Sequence, residues 1–556
     1  MSDVLHAGRG RLLSSTWLPA LVSAVLLWAA LPPLGRWVWP VAWIAPVGWI
    51  VLIRRERLAG RRPYLVLYGV GFLFWLASLH WLRLPHPATS IGWVALAIYF
   101  GVYLPLFVGL SRVAVHRLRV SVVIAAPAVW TGLEFGRGHV LGGMTMGSLG
   151  HTQVDWVTLI QIADLGGAYL VGLLVMLVAA CLGRMIPLRS ASTAGERWRG
   201  WPLLPAAGAV AATLVYGIAR LNHEPDGPPE PILTAGIIQG SIDTELTADP
   251  RVRGRIHRHY VGLSERAVRR WDDLDVILWP ETTFRDPLFT FDPDASKPPY
   301  ATRITQEEFR WNLQNLPETP PEMTRLARRL GVPMILGFER LHFAAGGQYR
   351  YNCAGLVTAD GELLRPVYDK MHPVMFGEYV PLARRFPLLQ RITPLADSLT
   401  AGRRAVGLEV AGVRLAPNIC YESVLPHLVR RQVLQLRRRG EEPDALVNLT
   451  NDGWFWGSSE LDMHLACGVF RAVECRKPML IAANTGFSAH IDGSGRILRR
   501  GPRRRTAVLR AEVRGDRRRS PYLSWGDWPA GLCAAACVGL AIVGIVGRFS
   551  RRGTPR

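Results

Sequence analysis

The apolar residues of this 556-residue chain are gathered at its two ends, and that distribution limits what it can fold into. Seven uninterrupted apolar stretches precede Asn222, near 16–34, 37–53, 64–82, 90–111, 120–136, 157–183 and 202–221, and one follows Asp527, at 528–547. Each approaches the roughly 20 residues that an α-helix needs to cross about 30 Å of hydrocarbon. Between them, from about Glu224 to Pro521, the sequence reads as an ordinary polar globular domain. The spacing predicts a polytopic α-helical membrane protein of eight spans in three parts. Residues 1–221 carry spans one to seven, 222–521 form an extramembrane domain, and 522–556 hold the last span and a tail. The first stretch ends in "WAALPPLGRW", a poor signal-cleavage site with six spans close behind it, so it reads as an uncleaved helix.

Arginine orients these spans. The segments "RRERLAGRR" (54–62), "SRVAVHRLR" (111–119), "GRMIPLRSASTAGERWRG" (183–200) and the tail "RFSRRGTPR" follow spans two, four, six and eight, which places them together on the cytoplasmic side. Both termini are then cytoplasmic, and the long segment after span seven lies outside. A net charge of +22 and a pI near 10.4 raise the question of nucleic acid. Topology accounts for the loop arginines, and the densest remaining run, 495–520, lies beside the last span, as a solvated face or a lipid-headgroup contact would. The expected partner is therefore a membrane and not a nucleic acid. Within the spans, Glu134 and Arg137 share a helical face and can pair, and Trp525 and Trp528 suit an interfacial belt.

Seven cysteines show no zinc spacing, and nothing in the sequence calls for a metal or a cofactor. On a helix over 461–476, Cys467 and Cys475 would lie about 12 Å apart along the axis, too far to bridge. The default for each thiol is a small buried hydrophobe. Cys420, in "APNICYESVLP", has better company.

Several central segments run apolar and β-branched, then stop at a polar group: "LTAGIIQG" (233–240), "LDVILWPE" (274–281), "VPMILGFE" (332–339), "VRLAPNICYE" (413–422), "DALVNLTND" (444–452) and "KPMLIAANTG" (477–486). Continuous apolar runs suit strands covered on both faces, with helices over 320–330 and 461–476 and glycine hairpins at "TADGE" and "DGSGR" between them. An α/β sandwich follows, with polar residues collected at one edge. Glu281, Lys370 and Cys420 each stand at or just beyond a strand end there. A thiol near neutral pH needs a base to become a nucleophile. A carboxylate walled by Trp279 and Pro280 could take its proton, and a lysine could stabilise an oxyanion. Asn451 and Asp452 would organise the neighbouring strand end, and apolar residues in 371–390 and 453–456 could line a pocket that excludes water.

Taken together, "WPETT", "YDKMHPVMFGEYVP", "NICYES" and "LVNLTNDGWFWGSSELDMHLACGVFRAVECRKPMLIAANTGFSAHIDGSGRI" resemble, in that order, the nitrilase-type domain of the apolipoprotein N-acyltransferases. "APAVWTGLEFGRGHVLGG" and "SPYLSWGDWPAG" are similar to motifs of that family's membrane part. The resemblance covers nearly the whole chain. It implies an αββα sandwich joined to a polytopic helical domain in the bacterial inner membrane, with the sandwich on the periplasmic side. It implies transfer of a fatty acyl chain from a phospholipid donor, by a ping-pong route through a cysteine thioester, to the N-terminal amine of an S-diacylglyceryl apolipoprotein. Cys420 then resembles the nucleophile, Glu281 the general base, Lys370 the stabiliser of the tetrahedral intermediate, and Glu378, Tyr421 and Glu422 supporting residues. The chain departs from the family pattern at Pro373 and Met375, at Met144 to Met146, and in an insertion over about 284–320. Two other readings use the same residues: a membrane-anchored amidase acting on a small amide with water as acceptor, and a non-catalytic binding protein on the same scaffold.

Overall fold

In a computed structural model the protein is described at residues 15–188, 200–223, 230–243, 250–298, 301–381 and 398–552. Parts of the 183–200 loop, of the 371–390 segment and of the basic tail lie outside these residues. The chain divides into two compact units. One comprises residues 1–83, 89–223 and 520–556, and the other 84–88 and 224–519.

The first unit is helical. Among the described residues, four helices are long and apolar enough to cross a membrane: Thr89–His116, Ala163–Met185, Leu203–Asn222 and Trp528–Val546. The stretches expected as spans one to three form shorter apolar helices, Trp17–Ala30, Trp39–Arg54 and Pro63–Ser78. Prolines and the bend between Gly35 and Trp43 divide that region, so the eight apolar stretches do not become eight uniform rods. The fifth stretch is the helix Val122–His139, opened by a Ser121 cap.

Polarity in this unit is arranged inside out. Val215, Ile218, Leu532, Val538, Ile542 and Ile545 are exposed, while Glu134 and Arg137 are buried and paired at 3.6 Å. Arg137 also donates to the Met146 carbonyl and the Ser148 hydroxyl, and Glu134 accepts from the Leu149 amide. A second buried carboxylate, Asp164, meets Arg220 at 2.9 Å and the Tyr216 hydroxyl at 2.7 Å. Charges in an apolar medium persist when they are paired in this way.

The second unit is a two-sheet sandwich. Its strands are β1 (Leu233–Gln239), β2 (Val276–Leu278), β3 (Leu288–Phe291), β4 (Met334–Ala344), β5 (Gly347–Val357), β6 (Tyr368–Asp369), β7 (Leu408–Val410), β8 (Val413–Ile419), β9 (Ala445–Thr450), β10 (Met479–Ala483), β11 (Ala489–Ile491), β12 (Ile497–Arg500) and β13 (Ala507–Val513). One sheet runs β13-β1-β2-β4-β5-β6 with β3 added beside β4, and the other runs β12-β11-β10-β9-β8-β7. Within each, the central strands are parallel: β1, β2 and β4 in the first, β8, β9 and β10 in the second.

Burial explains the apolar runs. Every residue of β1, β9 and β10 is buried, because one face of each sheet meets the other sheet and the opposite face is covered by helices. Ile237, Leu278, Ile335 and Leu356 pack with Leu415, Val447, Leu449 and Leu480 in the shared core. The helices Pro250–Arg270 and Pro321–Leu330 cover the first sheet through Tyr260, Leu263, Met323 and Leu326, and Pro426–Arg438 and Glu460–Cys475 cover the second. The αββα layering expected from the sequence is present.

The 284–320 insertion contains its own small core. Thr305 and Glu308 form a capping box that starts the helix Gln306–Gln314, which seats Phe309 and Leu313 against Ala295 and Phe343 of β4. The basic run at 495–520 is partly neutralised within this unit. Arg503 pairs with Asp462, Arg504 with Asp243, Arg510 with Asp273 and Arg518 with Asp516.

Arg471 and Glu474 form a fully buried bidentate pair at 2.7 and 2.8 Å, and Arg471 also donates to the carbonyls of Ser423 and Val424. Arg471→Met strips Glu474 of its guanidinium partner, which typically costs about 3–5 kcal/mol for a buried pair. A drop in the thermal midpoint of the detergent-solubilised protein is the expected result.

Candidate active site

Parallel strands bring the chemistry together. The carboxyl ends of β2, β8, β9 and β10 deliver Glu281, Cys420, Asn451 with Asp452, and Asn484, and Lys370 follows the edge strand β6. Such ends are where open α/β sheets gather their functional groups.

Glu281 stands beyond Trp279, whose buried indole donates to Ser264 Oγ at 2.9 Å. Its backbone is held against Gly337 of β4. A Cβ at Gly337 would lie 2.5 Å from the Pro280 carbonyl oxygen and 2.8 Å from the Glu281 Cα, so only glycine allows the approach. The carboxylate is 6% exposed as a residue and meets three donors. Oε1 accepts from Asn352 Nδ2 at 2.7 Å and Lys370 Nζ at 3.2 Å, and Oε2 accepts from the Asn451 amide at 3.0 Å. The oxygens of Glu281 thus face polar partners, and the Trp279 ring packs with Tyr260.

Lys370 is 1% exposed and lies between two carboxylates, with Glu378 Oε1 at 2.7 Å opposite Glu281. Burial pulls the ammonium pKa down. Glu281, Glu378 and the Cys420 sulfur pull it up by more, leaving it well above the usual lysine range. Glu378 is itself anchored by the Val374 amide at 2.7 Å, in a turn where Phe376 takes a positive φ and its amide bonds Tyr379.

Cys420 opens a 3₁₀ turn immediately after β8, at φ 51°. A non-glycine residue there carries strain of about 1 kcal/mol or more, so its surroundings must hold it. They do so through its carbonyl, which accepts from Ser423 Oγ at 3.1 Å, Asn448 Nδ2 at 3.1 Å and His464 Nε2 at 3.2 Å. The residue as a whole is partly exposed. Burial of the sulfur and the nearby Glu281 charge push its thiol well above the ordinary range, while Lys370 opposes them. The seven cysteines are all free.

Glu422 is a brace. Fully buried, its Oε1 accepts from the amides of Met371 and His372 at 2.6 and 3.0 Å, and its Oε2 accepts from the Ile419 amide and the Tyr368 hydroxyl, both at 2.7 Å. Burial pushes its carboxyl up to about 7 against the donors that favour the ionised form. Tyr421 is half-buried and its ring lies parallel to that of His372, with centroids 6.5 Å apart.

Asn352, Asn448, Ser423 and His464 were missed in the sequence. His464 lies on the helix whose cysteines drew attention, one turn after Glu460. A polar stripe at helical spacing, Glu460, His464, Arg471 and Glu474, was the available signal. Among the described residues, Asp452, Glu460 and His464 alone bring three potential metal-ligating atoms together, within 4.8 Å of one another. Hydrogen bonds already occupy the ring: Nδ1 faces Asp452 Oδ1 at 3.1 Å, and Nε2 faces Ser423 Oγ at 2.8 Å and the Cys420 carbonyl. An imidazole ring with an acceptor at each nitrogen offers a metal no lone pair.

Two family models match the chain: the apolipoprotein N-acyltransferase N-terminal domain over residues 23–181, and carbon-nitrogen hydrolase over residues 234–522. The chain is 32% identical to the apolipoprotein N-acyltransferase of Rhodopirellula baltica, covering 94% of this chain and 97% of that one. It belongs to the apolipoprotein N-acyltransferase family. It is also 31% identical to the family member from Geobacter metallireducens over 95% of this chain and 94% of the other. Among solved structures, an amidase from Nesterenkonia sp. AN1 is similar over 54% of this chain and 95% of its own, at 17% identity and a TM-score of 0.34.

Glu422→Gln tests the brace. An amide in place of the carboxylate loses one oxygen and leaves two of the four donors facing an NH₂ group, at about 1–3 kcal/mol for each buried donor left unpaired. The variant is expected to unfold at lower temperature, and an unchanged melting profile would count against the bracing role.

Proposed function

We propose that this enzyme transfers a fatty acyl chain from a membrane phospholipid, through a thioester on Cys420, to the N-terminal amine of an S-diacylglyceryl apolipoprotein. The observation that carries the reading is the buried contact of Lys370 with Glu281 and Glu378 beside a cysteine held at positive φ. The name borne by the relatives supports the acceptor.

In the first half-reaction Glu281 accepts the Cys420 proton and the thiolate attacks the donor's ester carbonyl. The oxyanion that develops is stabilised by the Lys370 ammonium, already charged and already desolvated, so little reorganisation is needed. Collapse breaks the ester bond, and Glu281 returns the proton to the departing lysophospholipid alkoxide. In the second half the acceptor amine attacks the thioester and gives up a proton to Glu281, the carbon–sulfur bond breaks, and Glu281 passes that proton to the departing sulfur to restore the thiol. Glu378 keeps Lys370 aimed while Glu281 changes charge. Tyr421 and Glu422 support the turn that bears the nucleophile.

The arginine pattern supports eight spans in the bacterial inner membrane, with both termini cytoplasmic and residues 222–521 on the periplasmic side. Short first helices can span by thinning the bilayer or by snorkelling of their flanks. A reporter active only outside the cytoplasm is expected to give signal when fused at Glu230 and none when fused at Arg62. The reverse pattern overturns this orientation.

Incubation with phospholipid vesicles is expected to add a fatty-acyl mass to the intact protein that hydroxylamine removes. Cys420→Ala abolishes the adduct, and Glu281→Gln slows its formation by roughly 100 to 10,000-fold, the range for loss of a general base. Normal loading in either variant sinks the assignment. Absence of an adduct together with ammonia release from small amides favours the amidase.

A further inference from the structure

His464 takes no part in the proton transfers above, yet it is buried against the backbone of the nucleophile. Its ring is 5% exposed as a residue and has an acceptor at each end. Nδ1 points at the Asp452 carboxylate, which also accepts from Thr450 Oγ1 at 2.7 Å. Nε2 points at Ser423 Oγ and at the Cys420 carbonyl oxygen. The Cys420 carbonyl can only accept, so it calls for a donor at Nε2 whichever way the Ser423 hydroxyl turns. A neutral imidazole has one N–H and would leave one of these facing pairs as two acceptors. The hydrogen bonding is satisfied when both nitrogens carry hydrogen.

We propose that His464 is a positioning residue: a doubly protonated imidazolium, held by Asp452, that clamps the Cys420 carbonyl and keeps the strained nucleophile turn in its reactive orientation. This rests on the reading of Cys420 as the nucleophile. The clamp acts at one remove, through the peptide that follows the reacting sulfur, and with Asn448 and Ser423 it completes a three-donor grip on a single oxygen. Charge-assisted donors are the strong ones, which suits a carbonyl that must resist relaxation of φ 51° at Cys420.

The ionisable groups facing the ring are Asp452 from the turn after β9 and Glu460 one helical turn before it, while the turn after β8 presents the Cys420 carbonyl. Burial lowers the His464 pKa, but Asp452 and then Glu460 raise it by more, to about 9. Burial and Asp452 also push Glu460 well up, while His464 opposes them. The folded-state value lies above the unfolded one. The clamp is therefore complete at and below neutral pH and is lost as pH rises through about 9.

The test is single-turnover acyl loading of the full-length enzyme from phosphatidylethanolamine vesicles, followed by intact mass between pH 6 and 10. Cys420→Ala, His464→Gln and His464→Ala are compared with wild type. His464→Gln keeps an amide donor toward the carbonyl without the charge, and carries the test alone if the alanine variant fails to fold. At pH 7 loading is expected to slow roughly 10-fold in His464→Gln and 100-fold in His464→Ala, the range for weakening or losing a charge-assisted bond at the reacting centre. The vesicle concentration at half-saturation stays unchanged. The wild-type to His464→Gln ratio of rates falls toward one as pH passes about 9, a change that a packing defect would not produce. A pH-independent ratio, or wild-type loading in His464→Gln, overturns the clamp while Cys420→Ala remains inactive. Normal loading by Cys420→Ala overturns the nucleophile assignment and the clamp with it.

Discussion

The site depends on one desolvated cation. Lys370 has almost no contact with water, and in that position its charge persists only because Glu281 and Glu378 flank it. The arrangement sets up opposed demands that define the rest. The two carboxylates hold the Lys370 charge, while burial and the Glu281 charge make the nearby Cys420 thiol a weaker acid. In the proposed reaction the substrate's carbonyl oxygen would meet a cation that is already charged and already desolvated.

Much of this architecture was legible in the chain. The runs ending at Glu281, Cys420 and Asp452 are visible because a strand covered on both faces must be apolar throughout, so the first polar residue marks its end. Glu378 was visible through resemblance, and its partner Lys370 as a charge that follows a strand. The asparagines and His464 were hidden for the converse reason. They sit inside apolar elements, where a polar residue looks like an exception until its partner on another element is known. Asn352 meets Glu281, 71 positions away in sequence, and no local pattern encodes that pairing.

Hydropathy alone overstated the regularity of the membrane unit. It registers eight apolar stretches, but Pro and Gly spacing decides where a helix breaks, and the first three helices are shorter than the stretches that contain them. Arg137 shows the complementary case. The chain predicted its pairing with Glu134 from a spacing of three, whereas its bonds to Met146 and Ser148 depend on the irregular segment after the helix.

The Glu422 brace also bears on where this chain departs from its family. By joining the amides of Met371 and His372 to the residue two after Cys420, it makes Cys420 and Lys370 parts of one stiff frame. The frame ends at His372. Changes of length or shape before that point would misplace the ammonium, whereas the segment from Pro373 onward meets it through Glu378 and, at Gly402, bonds the Lys370 carbonyl. Pro373 and Met375, where this chain departs from the family pattern, both fall in that stretch. A change there reaches Lys370 through the Val374 amide that anchors Glu378.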